Sequence, residues 1–544
     1  MKKILLLTLI ALHTLAAGAG DRIHVVTDRN AYVAGDPVFC SVFAVDENGR
    51  ISDFSAVSYL ELISADGTLT EAKIGLFNGR GAGSFRIPAN APTGNYRLVG
   101  YTARSAAVPE ASRILSIFNT TSTARVQGGT EIVPAGRWTP ADPGADVSDG
   151  LRLSFPARLR QGRDAALVLD GMALDADLTV SVYHEDELSA APSFALSGIL
   201  QGGAAGPGPR MGEYEGEIIY AAVEGLDPGA GVGSDNVTAF LSTTGSSSNV
   251  FVGQPSGDGL LKFYTGNIYG DREIVCEVVS MYGKSCHISL RSPFTHPDPG
   301  AIPALGISPA QREALVLRKA ALRSENAHPL DTLMEFLPKR EDQLLEGVPF
   351  TRYHLDDYTR FPTVREICVE FVPQLTYSRV GNKWVMRLNM ADATDSRRFR
   401  QDNVLVLMDG VVLTDHGMLA DFDAMLLEDI DIYSLPVAIG ELSYNGVVNF
   451  ITKKNYVTAL QFPDNTRVVD FKGVSWPVAY PGGVPEGEDL RQLLFWHPAL
   501  AVPAGSDVRI PVRTPGYAGR FRIVVEGRLS DGTPVSASTR FEVE

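Results

Sequence analysis

The sequence predicts a mainly β chain: tandem β-sandwiches, interrupted once by an α/β unit. Three observations predict it. Short runs of Val, Ile, Leu, Phe and Tyr alternate with polar residues at period two and are separated by Gly-containing turns, as half-buried antiparallel strands require. A hydrophobic content of 44%, with 53 glycines and 33 prolines in 544 residues, suits a folded, turn-rich chain. The period changes to that of a helix between Ile307 and Gly347, and between Phe361 and Lys454 a helix start, a hairpin and buried apolar runs follow one another. Several domains are expected at this length, because single cores stop growing near ~250–300 residues.

The chain opens on Lys2-Lys3, an apolar run from Ile4 to Leu15 and the small-residue exit Ala17-Gly18-Ala19, the pattern of a secretory signal peptide over 1–19. No cysteine follows the exit, so no lipid anchor is expected there. No later apolar run approaches the ~18 residues of a membrane helix. The mature chain is therefore expected in the periplasm, at the outer membrane or on the cell surface, with at most peripheral membrane contact. Without Lys2 and Lys3, 46 of the 48 basic residues face 64 acidic ones, a net charge of −18. Such a charge repels nucleic acid and anionic lipid and argues against either as the main partner.

The first mature domain is expected over 20–122. Val25 to Asp36 reads as strand, turn, strand, and Gly94 to Thr102 alternates inward Tyr and Leu with polar neighbours. Thr27-Asp28-Arg29-Asn30-Ala31-Tyr32-Val33-Ala34-Gly35-Asp36 and Gly94-Asn95-Tyr96-Arg97-Leu98 resemble the two end motifs of macroglobulin-type β-sandwiches. In that family protease trapping depends on a Cys-Gly-Glu-Gln thioester. None of Cys40, Cys276, Cys286 and Cys368 is followed by Gly-Glu-Gln, so the resemblance implies a scaffold or binding module.

A Pro/Gly/Asp-rich linker from Val133 to Gly150 leads to a second sandwich expected over 148–210, with strands at Leu151–Phe155 and Leu178–Tyr183. His184-Glu185-Asp186-Glu187 offers ligands for a cation, although such a run is more often a solvated loop. A third sandwich is expected over 211–296. There Ser256-Gly257-Asp258-Gly259, with Leu261 and Phe263, resembles the strand entry of carboxypeptidase-regulatory-like domains, which carry no peptidase site. Cys276 and Cys286 flank an expected hairpin turn at Tyr282-Gly283 and are candidates for a disulfide; the alternative is two buried thiols. No Cys/His cluster has zinc-site spacing.

Over 297–347 a helical connector is expected. Ser308-Pro309-Ala310-Gln311 sets an N-cap serine, a proline at the first helical position and a capping-box glutamine in order. Ala310, Ala314, Leu317 and Ala321 recur on one face, and a second amphipathic piece, Leu333 to Leu337, is stopped by Pro338.

The α/β unit is expected over 348–457. Thr363-Val364-Arg365-Glu366 starts a helix, Val372-Pro373 stops it, and a hairpin from Leu375 to Leu388 turns at Gly381-Asn382. Then come Val404–Val412, broken by a tight turn at Asp409-Gly410, Ile430–Tyr433, and Asn445–Lys454. This order resembles the plug domain of TonB-dependent outer-membrane receptors, with Asp409, Gly410, Asn445, Gly446, Thr452 and Lys453 at the motif positions, where they are structural. Ninety residues follow Lys454, against well over 200 for a receptor barrel of about 22 strands at roughly 10 residues each. The reading is a plug-like unit without that barrel. The last segment, 458–544, reads as an immunoglobulin-like sandwich with strands at Leu493–Trp496 and Gly519–Gly527 and a turn at Asp531-Gly532.

No HExxH, GxSxG or Walker-A pattern occurs. His354 with Asp356 and Asp357 is a close His/carboxylate group, and Asp429 and Asp431 lie two apart on an expected strand, hence on one face. Both fit structural roles. The sequence leads to a non-enzymatic exported envelope protein without cofactor, an accessory to an outer-membrane β-barrel partner. The alternative is a free periplasmic or surface module that binds a glycan or peptide.

Overall fold

A computed structural model describes residues 21–46, 50–105, 112–137, 150–189, 212–226, 232, 236–244, 248–280, 286–327, 334–337, 349–391, 398–401, 403–454, 457 and 460–544. The leader, most of the expected linker and the expected turn at Tyr282-Gly283 lie outside the described residues. The fold is mainly β, with tandem sandwiches and one α/β unit. The chain divides into two compact units, 1–216 with 294–339 and 474–544, and 217–293 with 340–473.

In the first unit, strands Arg22–Thr27, Pro37–Val45 and Arg80–Arg86 form one sheet of a sandwich. The opposing sheet is ordered Ala31–Val33, Arg113–Phe118, Gly94–Tyr101, Val57–Ser64, Gly67–Gly75 and Val474–Ser475. Val25, Val38, Val42, Leu60, Tyr96, Leu98 and Ile117 fill the space between them. The Thr27–Asp36 motif is a buried polar knot. Asp28 Oδ1 accepts from the Tyr32 hydroxyl at 2.8 Å and from Phe39 N–H at 3.0 Å, while Asp36 Oδ2 accepts from Arg29 Nη2 at 3.0 Å and Val33 N–H at 2.9 Å. Gly35 turns the chain at φ +102°, a left-handed conformation that glycine adopts without cost. Strand Gly94–Tyr101 is buried along nearly its whole length, not on one face alone. Its outward side is also covered, so the alternation of the sequence understates its burial.

The second sandwich corrects the expected boundaries. Segments 148–210 and 458–544 do not build two separate sandwiches: strand Ala176–Glu185 pairs antiparallel with both Leu493–Val502 and Gly519–Leu529, and Asp164–Asp170 pairs with Val508–Arg513. One core, including Leu167, Leu178, Val180, Ile510, Phe521, Ile523 and Phe541, spans both segments. Neither segment has enough strands to cover its own apolar face, and each supplies what the other lacks.

Ser308 caps the connector as read, with Pro309 following and Gln311 closing the capping box, and helix Arg312–Ala327 continues from it. Its buried stripe is Gln311, Ala314, Arg318 and Ala321; Ala310 is exposed and Leu317 half-buried. Leu333–Leu337 is no helix where described: Glu335–Phe336 is a short strand antiparallel to Val478–Ala479. Five residues make too few helical hydrogen bonds to offset nucleation, whereas strand pairing satisfies the backbone at once.

In the second unit, strands Gln254–Pro255, Leu261–Gly266, Glu217–Glu224 and His287–Leu290 form one sheet of a sandwich; Val250–Val252, Val237–Thr243, Arg272–Ser280 and Thr466–Phe471 form the other. Thr466–Phe471 is contributed from beyond the α/β segment. Cys276 and Cys286 are both free and buried, against the disulfide alternative. Arg272–Ser280 and His287–Leu290 belong to opposite sheets and do not form the expected hairpin ladder. The two thiols are part of the apolar filling between the sheets.

The α/β segment has a five-stranded mixed sheet ordered Thr351–His354, Leu427–Tyr433, Val447–Thr452, Leu405–Met408 and Val411–Val412. Helix Val364–Glu370 is capped by a Thr363/Glu366 box, and strands Leu375–Val380 and Lys383–Ala391 turn at Gly381 as read. Leu355, Ile367, Met386, Met408, Ile432, Val448 and Phe450 form its core. The outer sheet face, through Leu405, Leu407 and Val412, packs on Phe240 and Val250 of the adjoining sandwich.

Candidate functional site

The residues His184 to Glu187 are not a solvated loop. Strand Ala176–Glu185 delivers them against helix Arg312–Ala327, and His184, Glu185 and Asp186 are buried. They line a cavity of about 520 Å³, together with Glu313, Leu317 and Arg520 among others, within the usual range of ligand sites. Two acids on its wall are already saturated. Glu185 takes Arg522 Nε at 2.9 Å and Arg540 Nε at 2.8 Å, and Asp186 takes Arg318 through Nε at 2.6 Å and Nη2 at 2.8 Å. Burial pushes the Asp186 carboxyl up, but the Arg318 guanidinium more than offsets it and holds the group below its ordinary range. Arg318 also donates to the Ala31 carbonyl at 2.6 Å. A helix-period stripe of 311, 314, 318 and 321 is the sequence signal that would have found this arginine.

The state of His184 follows from its neighbours. Gln492 Nε2 lies 3.1 Å from the Leu490 carbonyl oxygen, which can only accept, so the amide nitrogen points there. Gln492 Oε1 therefore faces His184 Nδ1 at 3.1 Å, and Nδ1 must carry the proton. Burial pushes the His184 pKa down, so the ring is neutral and Nε2 presents a bare lone pair. The ring is wedged against Tyr517 and Phe521 at 5.2 and 5.1 Å between centroids. Nε2 faces Gly519, where a Cβ would stand 2.8 Å from it, and it has no partner among the described residues. A glycine here keeps the nitrogen accessible.

The motif residues of the α/β unit serve its architecture. Asp409 and Gly410 turn at φ +47° and +82°; Asp409 Oδ1 accepts from Thr452 N–H at 2.7 Å and Oδ2 from the Thr452 hydroxyl at 2.6 Å. Gly410 N–H donates to Asn449 Oδ1 at 3.1 Å, and Asn445 N–H to the Asn403 carbonyl at 2.7 Å. A Cβ on Gly446 would lie 2.7 Å from Leu388 Cδ2 and 2.9 Å from the Tyr433 oxygen. Lys453 Nζ approaches Asp356 at 3.7 Å. Asp429 and Asp431 do share a face, and each meets a basic residue directly across the ladder: His354 Nδ1 at 2.7 Å from Asp429, and Arg352 in a fork of two 2.6 Å bonds to Asp431. His354 is raised by its hydrogen bond to Asp429. These are cross-strand polar pairs, and Asp357 acts on His354 through space, without a hydrogen bond.

A further cluster was not read from the sequence. Glu61 and Glu71 stand opposite each other on paired strands, which is unfavourable for like charges. His296 meets both through Nδ1, at 3.0 Å from Glu61 and 3.6 Å from Glu71. Among the described residues this is the group whose ligand atoms gather closely enough for a metal ion. Glu61 already accepts from the Tyr101 and Thr68 hydroxyls, Thr295 N–H, His296 N–H and the His296 ring. The cluster is thus closed by hydrogen bonds and fastens Thr295 and His296 to the sheet.

No family model matches the chain, and no curated protein matches it. Solved structures do. Salmonella alpha-2-macroglobulin reacted with methylamine is 9% identical at a TM-score of 0.26, and E. coli alpha-2-macroglobulin in its native conformation is 8% identical at 0.25. Each likeness covers 97% of this chain and 40% of the other, so the chain spans less than half the length of these relatives. Dimeric latent PorU from Porphyromonas gingivalis is 10% identical at 0.17, over 50% of this chain and 34% of that one. Scores this low do not define a common fold over the whole chain.

Proposed function

We propose that the chain is a non-enzymatic exported envelope protein, an accessory that docks onto an outer-membrane β-barrel through the α/β unit as a plug-like domain. The sandwiches, the first of macroglobulin type, serve as its scaffold. The observation that carries this reading is apolar exposure on the α/β unit, whose core is already filled. Phe350, Val369 and Leu435 are 78%, 71% and 76% exposed, and Tyr358 stacks on Phe371 with centroids 4.6 Å apart at the surface. Phe350 and Leu435 flank the same end of the Thr351↔Ile432 strand pair. Large side chains left in water while the core is complete favour a protein partner. One face of the sheet is already covered by the chain's own sandwich, so docking uses the remaining surface.

The test is to extract envelopes in mild detergent, recover the tagged native protein, and identify co-purifying chains by mass spectrometry. A stoichiometric barrel protein that is lost with Leu435→Asp and Phe350→Asp supports docking. Recovery of the protein alone from the aqueous fraction refutes it. A second reading, a free periplasmic or surface module that binds a peptide or glycan, draws on the cavity beside His184.

A further inference from the structure

We infer that the cavity beside His184 takes a cationic N–H donor on an aliphatic stem, the chemistry of a lysine or arginine side chain or of a free polyamine. The inference stands apart from docking by the α/β unit. Three features carry it. The first is the bare lone pair of His184 Nε2, on a side chain 7% exposed, which accepts but cannot donate in this tautomer. A ligand that satisfies it must bring a donor.

The second is the charge that remains after internal pairing. Glu185 and Asp186 are neutralised by Arg522, Arg540 and Arg318, and Glu187 has Arg520 at 3.7 Å. Glu542 and Glu544 share Arg158, at 3.6 and 3.4 Å. Glu313, at the exposed start of the helix, pairs with no basic side chain among the described residues. Six carboxylates thus stand against five guanidiniums, which leaves one negative charge in excess, with Glu313 as the acid without a basic partner among the described residues. An anionic ligand would meet repulsion from Glu313, and a neutral one would leave that carboxylate without a counter-charge.

The third is the half-buried Leu317 on the wall, beside the buried Ala314 and Val543. A lysine stem can cover it while the ammonium reaches polar groups, as amphipathic side chains commonly do. A metal ion fits less well: among the described residues no three ligand atoms gather around Nε2 within the spacing seen at Glu61, Glu71 and His296.

The test is calorimetric titration of the full chain with Nα-acetyl-lysine N-methylamide, with spermidine, and with Nα-acetyl-norleucine N-methylamide, which keeps the stem and lacks the charge. Saturable binding is expected for a cationic probe and at least about tenfold weaker binding for the norleucine analogue. Preference for the lysine amide assigns the site to peptides; preference for spermidine assigns it to free polyamines. Gly519→Ala, which places a methyl group against Nε2, is expected to weaken binding at least about tenfold. Glu313→Gln, on an exposed position that does not endanger folding, is expected to weaken it about three- to fivefold, the range of a partly exposed ion pair. Equal affinity for the norleucine analogue, absence of saturable binding by both cations, or wild-type binding by the Glu313→Gln variant overturns the inference.

Discussion

Arg318→Met tests the arrangement that holds helix Arg312–Ala327 in place. The guanidinium and the Asp186 carboxylate are 2% and 3% exposed and joined by two charge-assisted bonds of 2.6 and 2.8 Å, with a third bond to the Ala31 carbonyl. Methionine fills most of the stem volume but leaves Asp186 charged and buried with only its bonds to Leu188 N–H and Ser189. Removing one partner of a buried pair costs about 3–5 kcal/mol. The pH dependence is expected to reverse sign. In the wild type the Asp186 pKa is held low, so its contribution is complete above the unfolded value of about 3.9 and is lost only as pH falls through the lower folded value. In the variant burial is opposed only by these weaker contacts and raises the pKa, so stability is lost as pH rises through the raised value. Scanning calorimetry at about pH 5 and about pH 7.5 should therefore show a larger deficit at the higher pH. Adding Asp186→Asn should recover part of the loss at about pH 7.5, because no buried charge then remains. A deficit below about 1 kcal/mol, a deficit that grows toward acid, or a double variant no better than the single would refute the reasoning.

Burial pushes Glu277 up to about 7, with the Thr414 hydroxyl donating to it; its folded pKa exceeds the unfolded value, so stability falls as pH rises through about 7, and Glu277→Gln should flatten the melting temperature between about pH 6 and 8. A wild-type slope in that variant would count against a titrating Glu277. Gly410→Ala forces a side chain into φ +82° and overlaps Ser248, and a loss of about 3 kcal/mol or more in denaturant unfolding is expected from strain and overlap together. All four cysteines are free and buried, so a thiol reagent should find none in the native protein and four after denaturation without reductant; fewer than four would mean a bridge.

Much of the local structure was legible because it depends on neighbours within a few residues. The Ser308 and Thr363 capping boxes and the turns at Gly381, Asp409-Gly410 and Asp531-Gly532 are all found where side-chain chemistry or tolerance of positive φ requires them. The Leu333–Leu337 reading failed because a pattern of five residues does not separate helix from strand. The His184 cavity was half legible: four polar residues in a row were visible, but the lone pair on Nε2 depends on Gln492, more than 300 positions away.

The sequence by itself determined that this protein is a chain of sandwiches around one α/β unit, since period, turn chemistry and capping are short-range properties. Only tertiary structure decided which strands complete which sandwich. Ala176–Glu185 joins Leu493–Val502 and Gly519–Leu529, and Arg272–Ser280 joins Thr466–Phe471. Period two states which face of a strand is apolar but not which edge will pair with it, and that choice is made by the apolar area the whole assembly can remove from water.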